Sequence, residues 1–183
     1  MTGINRYNLI PLLQEKGHKF NFHFDMDGVL VDFYNDVRNL PEKYVDYFDN
    51  DRFKFWESIE KDFCSSFWEN LNIKIDGISL FNLVCFTIPV KQVSILSAYP
   101  SFGIKNPQCC IDGKIAWLKK YNIENDKHFC MSKDKCFQAD KDSILIDDSE
   151  KNIESWNKMG GFGILYTDQG SVFRELIHIL ENN

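Results

Sequence analysis

Two aspartates two residues apart, Asp25 and Asp27, follow the alternating run Phe20-Asn21-Phe22-His23-Phe24 and precede Gly28. The period-2 aromatics predict a strand. The Asp-Met-Asp-Gly segment predicts a turn at its end, with a glycine free to take turn backbone angles. Both carboxylates then stand at the carboxyl edge of a parallel sheet, where open α/β folds bind ligands. Carboxylates so placed can act as nucleophile, as acid or base, and as ligands of a hard cation. Three further signals fall at or just after expected strand ends: Ser97, a lysine at 133 or 135, and the pair Asp147-Asp148. Taken singly each has an ordinary explanation, as a turn former, a solvated cation or a helix cap. Their joint occurrence in this order behind Asp25 and Asp27 points to one site.

The elements that would carry these residues alternate. A strand is expected over 20–24, then a buried strand over 93–97, a short one over 129–131, another buried one over 143–146, and a last one over 162–166. Helices are expected between them, over 78–86, through Ile111, Ile115 and Leu118 (the helix that carries Lys114), through Ile153, Trp156 and Met159, and at the C-terminus behind a Ser171 cap. Alternation of this kind implies α/β, a Rossmann-like parallel sheet flanked by helices. Residues 1–18 read as an N-terminal helical extension with Leu9, Ile10, Leu12 and Leu13 on its apolar face and Gly17 at its end. Between 33 and 86 the chain is crowded with aromatics and charges and lacks a convincing strand before the resumed pattern. That segment is expected to be a small helical cap inserted after the first strand, leaving the core as 19–32 and 87–183.

The 183 residues suit one domain with an insert, and 44% hydrophobic content is ordinary for a globular chain. A net charge of −6 argues against a broad grip on a nucleic-acid polymer. It leaves room for a small phosphorylated molecule, because a metal ion can supply local positive charge. No apolar run approaches a membrane span, and the N-terminus lacks a basic-then-apolar leader, so a cytoplasmic protein is expected. Its six cysteines, at 64, 85, 109, 110, 130 and 136, show no C-x-x-C spacing and read as reduced thiols used for packing. The four histidines are scattered without ligand spacing. A homodimer is left open.

Asp25-Met-Asp-Gly-Val29 resembles the opening motif of the haloacid dehalogenase-like phosphohydrolases. That resemblance implies a core with a cap, attack on phosphorus by Asp25, and acid/base work by Asp27. It implies Mg²⁺ held by Asp25, the backbone carbonyl of Asp27 and Asp148, with Asp147 in support. Ser97 would bond a phosphate oxygen, and the lysine would neutralise another and orient Asp25. An aspartate at 27 favours phosphatase or phosphotransferase over dehalogenase. Within that superfamily the chain is similar to the 5′(3′)-deoxyribonucleotidases. The similarity is carried by Asp25 to Phe33, Phe55-Trp56-Glu57, Phe67 to Leu71, Ser97, Lys114 to Tyr121, Lys133-Asp134-Lys135, Leu145 to Asp148, and Trp156 before Gly160-Gly161. It implies Lys135 as the catalytic lysine. The nucleotide would be bound by Phe33, Phe55, Trp56, Trp68, Ser97, Ala98 and Lys133, with the rings around the nucleoside. The chain departs from that family at Ala98-Tyr99-Pro100, in a longer spacing from Lys135 to Asp147, and in its leading helix. The expected activity is Mg²⁺-dependent hydrolysis of (deoxy)nucleoside monophosphates. The alternatives are a phosphatase or mutase for another small metabolite, or a nucleotide-binding protein with weak catalysis.

Overall fold

The computed structural model describes residues 6–183. Five parallel strands form one sheet: β1 (Asn21–Phe24), β2 (Val93–Tyr99), β3 (Asp126–Met131), β4 (Ser143–Asp147) and β5 (Phe162–Leu165). Their order in space is β3-β2-β1-β4-β5. β1 lies at the centre, with Phe24 opposite Ile95 on one side and Ile146 on the other. All five residues of β4, and Val93 through Ser97 of β2, are buried. This is why these strands read as continuous apolar runs: a parallel sheet is covered on both faces. The chain runs outward from β1 through β2 to β3, then returns to place β4 on the other flank of β1. The direction reverses between β1 and β4, so the crevice at their carboxyl ends is the topological switch point.

The leading helix α1 (Arg6–Lys16) buries Leu9 and Leu13 against the C-terminal helix α9 (Gln169–Asn182) and gives way to a single 3₁₀ turn at Gly17–Lys19. The part of the expected extension before residue 6 lies outside the described residues. α9 is capped by Asp168, not Ser171: the Asp168 carboxylate accepts from the Ser171 N–H at 3.0 Å, and Ser171 Oγ reaches back to the Asp168 N–H. Ser171 is thus the third-residue half of a capping box, one turn inside the place expected for it.

Between β1 and β2 the chain forms α2 (Phe33–Arg38), α3 (Glu42–Asn50), α4 (Arg52–Asp62), α5 (Ser65–Glu69) and α6 (Ile75–Thr87). α2 to α5 gather their aromatics into one cluster, with Phe33, Phe48, Phe55, Phe67 and Trp68 buried. α6 differs from them. Its Phe81 meets Phe24 of β1 edge-on at 5.2 Å, and it packs beside α1 and α9 as cover for the sheet. The two chain segments that lead into and out of the α2–α5 group run side by side: the Asp32 N–H donates to Asn72 O and the Lys74 N–H to Leu30 O.

The helix after β2, α7 (Pro107–Lys120), buries Cys110, Gly113, Lys114, Trp117 and Leu118, whereas Ile115 is 41% exposed. The buried stripe is therefore rotated from the expected Ile111–Ile115–Leu118 face. The reason is a close approach at Gly113, where a methyl group would overlap the Ser65 carbonyl oxygen of α5. That docking also corrects the reading of every cysteine as a reduced thiol: Cys64 and Cys109 are joined in a disulfide with Cα atoms 5.1 Å apart. The two are 45 residues apart in sequence and meet only because α5 lies on α7, a proximity spacing cannot reveal. Cys85, Cys110, Cys130 and Cys136 are free.

Candidate functional site

The residues at the ends of β1, β2 and β4 converge at the switch point. Asp25 follows β1 and is nearly buried. Its Oδ1 is held twice, by the Met26 N–H at 2.7 Å and by Lys135 Nζ at 2.8 Å. Asp27 is two residues on, just before the turn in which Gly28 takes φ +79°, a backbone conformation that favours glycine. A side chain at 28 would also overlap the Asp148 carboxylate, so Gly28 admits Asp148 to the site.

Each leading carboxylate has its own buried lysine. Lys135, from the 3₁₀ segment Ser132–Gln138, bridges Asp25 and Asp147 at 2.8 and 2.7 Å. Lys114, from α7, donates to Asp27 Oδ2 at 2.6 Å, to Ser97 Oγ at 2.8 Å and to the Ala98 carbonyl at 2.7 Å. Lys114 is fully buried and its ammonium lies 4.9 Å from the Trp68 ring. Burial alone would lower both ammonium groups. Asp25 and Asp147 around Lys135, and Asp27 with Cys110 and Asp25 around Lys114, outweigh it and raise them, so both lysines stay charged.

The acids are raised as well, which for a carboxyl favours the neutral form. Burial raises Asp27 against the pull of Lys114, with Asp25 adding repulsion. Its Oδ1 is buried without a hydrogen-bond partner among the described residues. Burial, then Asp25, raises Asp147. Burial, then Asp25, Asp147 and Asp27, raises Asp148 to about 7. Asp25, Asp147 and Asp148 offer oxygens that all lie within 4.8 Å of one another. Both Asp147 oxygens are already committed, to Lys135, to the Ser149 N–H and to Asn152 Nδ2 at 3.0 Å each. Crowded carboxylates that raise one another form an all-oxygen donor set that fits a hard divalent cation such as Mg²⁺. Of Asp25, Asp147 and Asp148, Asp25 and Asp148 are free to hold it, while both oxygens of Asp147 are taken.

Of the expected residues, Asp25, Asp27, Ser97, Ala98, Lys135, Asp147 and Asp148 stand in this network. Ser97 is fully buried and accepts from Lys114, and Ala98 takes part through its carbonyl. Lys133 is exposed and stands outside this network, lining an adjoining cleft of about 270 Å³ with Ser132, Lys151 and Asn152. The aromatics pack on one another. Phe33 and Trp56 each stack on Trp68 at 15°, with centroids 6.1 and 5.6 Å away. Phe55 is fully buried among Phe48, Trp56 and Phe67. Beside Trp56 and Trp68 the open space is only about 10 Å³. Phe55 is therefore interior to the helical group, and the space beside Trp56 and Trp68 is too small for a base in this arrangement.

Two residues of the network carried no expected role. Asn152, on α8 (Glu150–Lys158), is buried, spans both Asp147 oxygens, and accepts from Ser132 Oγ at 2.8 Å. Lys114 is the other. It stands three residues after Ile111 and four before Leu118, so a lysine on an apolar stripe was its available signal. No family model matches the chain, and no curated protein matches it.

Proposed function

We propose that this chain is a Mg²⁺-dependent phosphatase of the haloacid dehalogenase type that hydrolyses (deoxy)nucleoside monophosphates through an aspartyl-phosphate on Asp25. One observation carries the proposal: each leading carboxylate has one oxygen tied to a lysine and the other left over. Asp25 Oδ1 is held by Lys135 and the Met26 N–H, which leaves Oδ2 to attack phosphorus. Asp27 Oδ2 is held by Lys114, which leaves the unpartnered Oδ1 to carry a proton.

In the first half-reaction the Asp25–phosphorus bond forms as the ester bond breaks, and the departing alkoxide takes the Asp27 proton. Burial favours that proton on Asp27. In the second, Asp27 takes a proton from water, whose oxygen joins phosphorus as the Asp25–phosphate bond breaks. Lys135 offsets charge beside Asp25, and Lys114 fixes the orientation of Asp27. When bound, Mg²⁺ supplies Lewis-acid neutralisation of the phosphate oxygens. The nucleoside part of the reading rests on the resemblance of the aromatic segments to the deoxyribonucleotidases, and it requires the α2–α5 group to move aside.

A second reading, hydrolysis of a smaller phosphorylated metabolite, is favoured by the closed packing of Phe33, Trp56 and Trp68. Phosphate release with Mg²⁺ from a panel of deoxynucleoside monophosphates and sugar phosphates separates the two. The nucleotides are expected to be the better substrates. No release from any ester by the folded, Mg²⁺-loaded protein would overturn the phosphatase reading.

A further inference from the structure

The α2–α5 group is attached to the rest of the chain at one double hinge. The Asp32 N–H donates to Asn72 O at 2.9 Å and the Lys74 N–H to Leu30 O at 2.8 Å, with Val31 and Ile73 bridged antiparallel between them. The same group is held shut along α7 and the loop before it. Glu60 of α4 accepts from the Lys105 N–H at 2.9 and 3.0 Å and from the Asn106 N–H at 2.6 Å. Gly113 of α7 lets α5 approach to backbone contact, and Lys114 of α7 lies against Trp68 of α5. Among the described residues one covalent bond crosses this contact: Cys64, which caps α5, to Cys109 in the first turn of α7.

We propose that the Cys64–Cys109 bond is a thiol–disulfide exchange site, taking a dithiol reductant, that latches the α2–α5 group shut over the carboxylate edge. Both cysteines are partly exposed, so a thiolate can reach the bond. Attack on one sulfur breaks the bond, forms a mixed disulfide with the reagent, and releases the other sulfur as a thiolate that takes up a proton. The second thiol of the reagent then displaces the remaining cysteine. The protein gains two electrons and two protons, and the dithiol leaves as a cyclic disulfide. The neighbouring Cys110 does not divert the exchange, because it is buried and burial pushes its thiol up to about 12. With the bond cut, the group is retained by Glu60 and by non-covalent packing alone. The space of about 10 Å³ beside Trp56, Trp68 and the bond can then enlarge by rotation at the double hinge. The consequence for turnover rests on the phosphatase reading, whereas the opening itself does not.

The test is hydrogen–deuterium exchange of the full chain before and after dithiothreitol, with mass spectrometry of alkylated thiols. The double variant C64S/C109S serves as the form that cannot respond. Reduction is expected to speed exchange in 63–71 and 105–114 by at least about tenfold, a local opening of the kind that leaves the rest of the fold protected. Exchange in β1 and β4 is expected to stay unchanged, and the double variant is expected to match the reduced protein with and without reductant. Alkylation of Cys64 and Cys109 without reductant would overturn the proposal. So would unchanged exchange after both have been reduced and alkylated, whatever becomes of the double variant. Phosphate release then reports on the other reading. Faster exchange with no hydrolysis of any ester leaves the latch standing and removes the phosphatase.

Discussion

The carboxylate edge and the aromatic group above it are built on opposite principles. At the edge, Asp25, Asp27, Asp147 and Asp148 face two lysines, an excess of negative charge drawn from the ends of β1 and β4 and buried at the cost of raised acids. Packing alone has no use for such an arrangement, since buried charge is expensive unless it is paired or holds a cation. In the α2–α5 group the rings satisfy one another, as Phe33, Trp56 and Trp68 stack and Phe55 is enclosed. That arrangement explains itself as core. The lesson is that a dense run of aromatics can satisfy itself as core, whereas carboxylates gathered at strand ends cannot.

The sharpest way to break this contrast is Asp25→Asn. It keeps the shape and one acceptor but removes the proposed nucleophile, so turnover is expected to fall by more than about 10⁴-fold. The thermal midpoint should change little. Hydrolysis at the parent rate by the folded variant would remove the covalent mechanism.

Next in size is Phe55→Ala, which tests the interior side of the comparison. Loss of an enclosed ring is expected to destabilise by about 3–5 kcal/mol in urea titration. Activity on a small phosphate ester, measured well below the transition, should remain within a few-fold of the parent. A selective loss on nucleotides with intact stability would move Phe55 from the core to the substrate.

Metal dependence should follow Asp148. Its carboxyl, raised to about 7, must lose a proton before it can ligate. Mg²⁺ affinity by calorimetry is therefore expected to climb as pH rises from 5.5 to about 7, by up to about tenfold per unit, and to level off above it. The sign for stability is opposite. A carboxyl whose folded value is raised stabilises the metal-free protein at low pH, and that contribution is lost as pH rises through about 7. Mg²⁺ should restore the melting temperature most at pH 8. A flat affinity profile would mean that Asp148 is not a ligand.

The smallest effect is expected at Asn152. Replacing it with Leu leaves Asp147 with Lys135 and the Ser149 N–H, and costs about 1–3 kcal/mol through unmet hydrogen bonds. Because Asn152 acts through Asp147 and Lys135, kcat should fall while KM holds. A change in KM alone would point to substrate contact instead.

Much of this was legible from spacing. The five strands, their parallel alternation with helices and the helical insert follow from apolar periodicity, and Asp25, Asp27, Ser97 and Asp147-Asp148 announce themselves by their place at strand ends. Lys133 and Lys135 were indistinguishable by that rule. Only the 3₁₀ turn after β3 sends one inward, to 1% exposure of its side chain, and leaves the other in solvent. Lys114 offered only a lysine on an apolar stripe, because its partner Asp27 lies 87 residues away in sequence. Asn152 was silent because its pairing with Asp147, 5 residues before it, depends on the turn from β4 into α8.

Local periodicity by itself determined the kind of fold and which strand ends bear acids, because both depend on side chains a few residues apart. Tertiary structure decided which lysine serves which aspartate, which face of α7 is buried, and that Cys64 meets Cys109. Those outcomes depend on how α5, α7 and the ends of β1 and β4 pack in space, and the close approach at Gly113 or the reversal of strand order beside β1 has no counterpart in the spacing of the chain.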